Sequence, residues 1–177
     1  MAVDYGPLQG LIGTFSGDKG TDIAPDPDGT EENPYYETIV FSGAGDVTNA
    51  EEQTLAVVHY VLHVNRKTDN AAIHHQTGYW LWDKVKDEVV HSIAIPRAVC
   101  VLATGSATVS SGIVVLNVST DESGVVQTDF MHKKAKTTSF KMEMKIEGDT
   151  LHYAETTMVD IYGKNFEHTD TNTLSRV

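Results

Sequence analysis

The chain has 177 residues, enough for one ordinary domain with its own core, and carries 25 Asp and Glu against 13 Lys and Arg, a formal net charge of −12. That field repels phosphate backbones and anionic lipid, so neither nucleic acid nor a membrane surface is an expected partner. No apolar run approaches the roughly 20 residues that span a bilayer, and with a single cysteine and no basic-then-apolar start, a soluble cytoplasmic protein without a disulfide is expected.

In chain order, Pro7 to Ile12 predicts a short helical turn, with Leu8, Leu11 and Ile12 as its apolar positions. Gly17 to Asn33 is rich in Asp, Gly, Pro and Thr without apolar periodicity, and predicts a long loop. Period-2 alternation then recurs between clusters of turn residues, giving strands over Tyr36–Phe41 and Thr54–Val64. A hairpin follows from Gly78–Trp82 through a polar tip at Asp83–Glu88 to Val89–Ile95. Val99–Val109, Ile113–Val118 and Val125–Phe130 supply three more strands. The clearest alternation sets Phe140, Met142, Met144 and Ile146 against Lys141, Glu143, Lys145 and Glu147, a strand with one wet face. Glu147-Gly148-Asp149-Thr150 turns it into Leu151–Ile161, where Leu151, Tyr153, Thr157 and Val159 share a face, and Phe166–Leu174 ends the series. About ten strands in sequential hairpins predict a single all-β domain over residues 1–177, an antiparallel up-and-down barrel of the lipocalin and fatty-acid-binding-protein type.

Familiar motifs fail on the Asp/Gly-rich segment. Aligning Gly29 to the glycine of an EF-hand leaves Ala24 and Tyr35 at the terminal ligand positions. Gly17-Asp18-Lys19-Gly20 lacks the ending of a phosphate loop, Gly43-Ala44-Gly45 lacks the third glycine of a dinucleotide site, and Ser16 sits in no nucleophile elbow.

Among the eight histidines, His59 and His63 lie about 13 Å apart on a strand, too far for one ion. His74 and His75 point to opposite faces, so at most one looks inward. His91, His132 and His152 are expected on polar faces, and Cys100, in Ala98-Val99-Cys100-Val101-Leu102, as a small buried hydrophobe. His168 sits in the last strand with Phe166 on the same face; one inward imidazole in apolar company is what an axial ligand to haem iron needs, but periodicity alone reads it as structural.

The segment Pro7-Leu8-Gln9-Gly10-Leu11-Ile12-Gly13-Thr14-Phe15-Ser16-Gly17 resembles the opening motif of the nitrobindin family, small haem-binding β-barrels shaped like fatty-acid-binding proteins. Ile73-His74-His75-Gln76-Thr77-Gly78-Tyr79 resembles that family's His-x-Glu-x-Gly-Tyr/Phe stretch, and Thr156-Thr157 through His168 resembles the stretch carrying its proximal histidine. The order and spacing of the three blocks match along nearly the whole chain. The sequence departs from the pattern at Phe15, where Trp is usual, at Gly17-Asp18-Lys19-Gly20, in the longer acidic segment that follows, at Gln76 in place of Glu, and at Leu81 or Trp82 in place of Arg.

The resemblance implies a b-type haem with His168 as iron ligand, His74 on the distal side as the catalytic histidine, and Thr14, Phe15 and Gly17 against the cofactor. It further implies binding of nitric oxide and, on ferric iron, isomerisation of peroxynitrite to nitrate, in a monomer or homodimer. Two other readings stay open. The same barrel serves as a carrier of a fatty acid or other apolar ligand, for which Arg66, Arg97 or Arg176 would have to meet a carboxylate. A barrel without a ligand would act on a protein partner through its acidic surface.

Overall fold

The alternation read above becomes, in the computed structural model, an antiparallel wall that closes on itself; residues 3–177 are described. Its strands are β1 (Gly13–Asp26), β2 (Gly29–Asn49), β3 (Gln53–Arg66), β4 (Ala72–Asp83), β5 (Glu88–Ile95), β6 (Val99–Ser110), β7 (Ile113–Asp121), β8 (Val125–Gln127), β9 (Ala135–Glu147), β10 (Thr150–Ile161) and β11 (Lys164–Arg176). Sequential neighbours pair from β1 to β7 and from β9 to β11, β7 pairs with β9, and β1 pairs with β11 to close the circle. Short β8 pairs with β6 at Val99–Val101, beyond the Thr104–Ser110 stretch where β7 pairs, so β7 and β8 fill one place and the barrel has ten.

Register follows the hydrophobic pattern, because a slip of one residue would turn every inward side chain to solvent. Phe140, Met142, Met144 and Ile146 of β9 all point inside, each no more than 5% exposed. The lower end is stoppered by a 3₁₀ turn at Gly6–Leu11, whose Leu8 and Leu11 are fully buried. Arg176 clamps that turn, donating to the carbonyls of Ile12 and Gly10 at 2.7 and 2.8 Å with its guanidinium over the Phe15 ring. Above the turn, Phe15, Phe41, Tyr60, Trp80, His91 and Phe140 fill the lower interior.

Four expectations are corrected. Gly17–Asn33 is not a loop: β1 and β2 continue through it as a hairpin that turns at Pro27-Asp28, where the Asp28 N–H donates to the Asp26 side chain. Its outer face is polar and its inner face borders a hollow, so no apolar row marks it as strand. Val125–Phe130 stops as strand at Gln127; Thr128 then opens a one-turn helix, α1 (Asp129–Lys134), with Asp129 in its first turn and Lys133 and Lys134 in its last, the order the helix dipole favours. His91 is buried, stacked on Trp80 at 4.0 Å, because period 2 places it between inward Val89 and Ile93. The same alternation turns Cys100 outward, between inward Val99 and Val101, where it is exposed. Among the described residues no helix is long and apolar enough to cross a membrane.

Gly78 packs with the backbone carbonyl of Ser92 where a Cβ would stand, whereas Gly29 faces open space. Gly78→Ala is expected to lower unfolding free energy by about 1–3 kcal/mol in chemical denaturation, the usual cost of overpacking. Gly29→Ala should cost nothing comparable. Equal midpoints for the two variants would contradict the close approach of β4 and β5.

Candidate functional site

The inward rows of β1, β10 and β11 change from apolar to polar halfway up the barrel. On β11 the row runs from buried Leu174 through Asn172 and Asp170 to His168; on β10 it runs Leu151, Tyr153, Glu155, Thr157, Val159. Register sets Asp170 directly opposite Asp22 of β1 on one side and Glu155 of β10 on the other. Three carboxylates on adjacent strands thus form one rung, with His168 two residues above Asp170 on the same face. The rung borders a cavity of about 400 Å³ whose other walls include Leu62, Val64, Ile95, Val99, Met142 and Val159. Pro25, Ile73, Arg97, Met131 and Tyr162 surround its upper end, opposite the helical stopper.

The His168 Nε2 lies 2.7 Å from the Asp22 Oδ1 and 3.5 Å from the Asp170 Oδ2. Below the rung a second polar layer is closed off from solvent. The Tyr35 hydroxyl bonds that of Tyr153 at 2.8 Å, Tyr153 donates to the Glu37 Oε2 at 2.9 Å, and the Asn172 amide donates to the same oxygen at 2.6 Å. The second oxygen of Glu37, a residue only 1% exposed, has no hydrogen-bond partner. Across the cavity the His74 Nε2 meets the Gln76 Oε1 at 2.9 Å, and the Gln76 amide donates to the Tyr60 hydroxyl.

Burial dominates the electrostatics here. It pushes the Glu37 carboxyl up to about 7, against the downward pull of the Asn172 and Tyr153 bonds. Asp170 is raised by burial in spite of His168, and Glu155 by burial reinforced by the Asp170 charge. For His168 burial pulls downward, but the Asp22 bond together with the charges of Asp170, Asp22 and Glu155 outweighs it, so the imidazole holds its proton more tightly than usual. His74 is pushed down, chiefly by burial, and is the neutral imidazole of the pair.

Of the residues expected at the site, the structure brings His168 and His74 to one cavity. Thr14, Phe15 and Gly17 are not among its lining residues: Phe15 is fully buried in the lower core against Phe41, and Gly17 packs on Thr173 and Leu174. His75 points away from the cavity and stacks on His63 at 4.4 Å, while His59 bonds Thr77, so the four-apart pair is independent as the spacing requires. Arg97 borders the cavity; Arg66 pairs with Asp69 and Arg176 holds the opposite end.

A model of the THAP4-like, heme-binding β-barrel domain matches residues 4–176. The chain belongs to this family, the nitrobindins. The crystal structure of Rv2717c from M. tuberculosis shares the fold with this nitrobindin chain, with a TM-score of 0.75 at 20% sequence identity over 98% of this chain and 99% of that one. None of the curated proteins matches it. Haem binding is the property by which the family is described, and a small-molecule site is what the hollow upper half of the barrel provides.

Asp22, Glu37, Glu155 and Asp170 were missed in the nitrobindin sequence, although period 2 carried the signal for three of them: Glu37 shares the face of Ile39 and Phe41 in the Tyr36–Phe41 strand. Glu155 lies between Tyr153 and Thr157 on the face already read as inward, and Asp170 lies between His168 and buried Asn172. Asp22 becomes legible only once β1 and β2 are known to pair.

Because folding raises Glu37 from 4.5 to about 7, the folded state binds its proton more tightly than the unfolded chain. Its stabilising contribution is therefore complete below about pH 4.5 and is lost as pH rises through about 7, a swing on the order of 3 kcal/mol. Glu37→Gln keeps an acceptor for Tyr153 and Asn172 and should flatten that fall in denaturation midpoints measured from pH 5 to 8. A fall of equal size in both proteins would contradict the assignment.

Proposed function

We propose that this barrel binds a b-type haem in its upper cavity with His168 as the iron ligand, and through it binds nitric oxide or converts peroxynitrite to nitrate. The observation that carries the reading is an imidazole bordering a cavity with largely apolar walls, in a chain of a haem-binding family. The residues present fit the group in kind: a nitrogen donor, aliphatic walls that exclude water, and exposed Arg97 at the rim where acidic substituents meet solvent. The lone cysteine is exposed on the outer wall, which leaves non-covalent attachment. Haem supplies an iron with a position open to a diatomic or small oxidant.

The chain's own residues set the terms. His168 offers Nε2 only when Asp22 releases it, after which Asp22 and Asp170 remain as negative charges that favour a cationic centre nearby. Once Gln76 directs its amide to Tyr60, its oxygen accepts the Nε2–H of His74, so neutral His74 presents Nδ1 as an acceptor. It donates to an incoming anion only after taking up a proton, which burial opposes. His74 is in this reading a weak anion donor at neutral pH and a better one in acid.

The carrier reading loses ground on one observation. A fatty-acid carboxylate entering the cavity meets Asp22, Asp170 and Glu155, and Arg97 is the only Lys or Arg among its described lining residues.

Hemin titration tests the proposal. Wild type should develop a sharp Soret band at one equivalent that shifts under nitric oxide, and His168→Ala should lose it while keeping the wild-type circular dichroism. His74→Ala should retain the band and lose the acid enhancement of anion binding. A band unchanged in His168→Ala would overturn the ligand assignment.

A further inference from the structure

The rung of Asp22, Asp170 and Glu155 is an unusual thing to build into a barrel wall. Ionised carboxylates directly opposite one another on neighbouring strands repel, and here three carboxyl groups lie side by side with one imidazole among them. One layer below, buried Glu37 adds an oxygen with no partner. Among the described lining residues the sole permanent cation is Arg97, on the β5–β6 turn at the far rim. The site therefore carries an excess of acceptors and a deficit of positive charge.

Its geometry is that of a ligand set. One nitrogen of His168 and one oxygen each of Asp22 and Asp170 lie within 4.8 Å of one another, and both carboxylates converge on the same Nε2. An ion held at about 2.0–2.2 Å from each donor requires donor separations of at most about 4.3 Å, and the two nitrogen–oxygen distances, 2.7 and 3.5 Å, lie within that limit. Asn33, donating to the other oxygen of Asp22 at 3.4 Å, orients that carboxylate in the manner of an outer hydrogen bond to a metal ligand.

We propose that Asp22, His168 and Asp170, with Glu155 beside them, bind one divalent transition-metal ion in the haem-free protein. One imidazole nitrogen with two or three carboxylate oxygens suits Mn²⁺, Fe²⁺, Co²⁺ or Zn²⁺; Ca²⁺ and Mg²⁺ prefer oxygen alone. The site does not depend on haem binding, but it uses the same imidazole, so the ion and haem exclude each other. The barrel is thus a protein with two alternative states of one histidine, set by which metal species reaches the cavity first.

The test starts from full-length haem-free protein dialysed against a chelator. Co²⁺ is followed by visible absorption, and Mn²⁺ by loss of the free-ion electron paramagnetic resonance signal. One equivalent should bind wild type. Asp22→Asn, Asp170→Asn and His168→Ala should each weaken binding by at least about tenfold. His63→Ala, which removes half of the stacked pair on the outer wall, should leave it unchanged. Co²⁺ binding that ignores Asp22 and Asp170, or that disappears in His63→Ala, overturns the proposal. Should the isosteric variants fail to fold, wild type decides: hemin must expel Co²⁺ one for one, and simultaneous binding refutes a shared imidazole. Intact Co²⁺ binding without a Soret band removes the haem reading and leaves this one; a Soret band with Co²⁺ binding indifferent to Asp22 does the reverse.

Discussion

Everything particular to this barrel depends on one cross-strand register. The pairing of β1 with β11 and of β11 with β10 sets Asp22, Asp170 and Glu155 on a single rung, and the period of two along β11 adds His168 to it. Isolated on a dry wall such a rung would drive the strands apart. It persists because it borders a cavity rather than packed side chains, because the imidazole sits between two of the carboxylates, and because raised proton affinity removes part of the charge. The same arrangement makes the site receptive to a positive centre.

The barrel can hold this site because its two halves do different work. Below the rung the interior is solid, from the Leu8 and Leu11 stopper through the aromatic cluster around Phe41, Tyr60 and Trp80. His91 belongs to that half: stacked on Trp80 and with neither ring nitrogen hydrogen-bonded, it is pushed down to about 3 by burial and serves as a neutral aromatic plate. Tyr35, Tyr153, Glu37 and Asn172 form the boundary layer, with Glu37 as the acceptor that gathers the others. A rigid floor of this kind holds the donors above it in place, which a site on loops alone would not do.

What the sequence disclosed, and what it hid, follows the same division. Strands that wall the solid half carry an apolar row, and β3, β5 and β10 were legible from it to within two residues, whereas β4 begins at Ala72 rather than Gly78 and β9 at Ala135 rather than Phe140. The upper reach of β1 and β2 borders a hollow, so its inward residues are Asp22 and Ala24 rather than Val or Leu, and composition alone reads as loop. His74 and His75 were separated correctly by alternation, since the two faces of β4 differ. His91 and Cys100 went wrong when residue type was weighed above position: both obey period 2, one inward and one outward. The family blocks located His168 and His74, but the carboxylates that distinguish this site lie in or opposite the acidic segment where the chain departs from the family pattern.

The central claim is that His168 is the imidazole through which this cavity takes its ligand, held until then by Asp22. The most direct measurement is a long-range ¹H–¹⁵N spectrum of the histidine rings, recorded before and after one equivalent of hemin. The account predicts a protonated, hydrogen-bonded Nε2 for His168 in the free protein, and paramagnetic loss of the His168 and His74 signals on addition while those of His63, His75, His132 and His152 persist. Loss of an outer-wall imidazole with His168 unperturbed would contradict it.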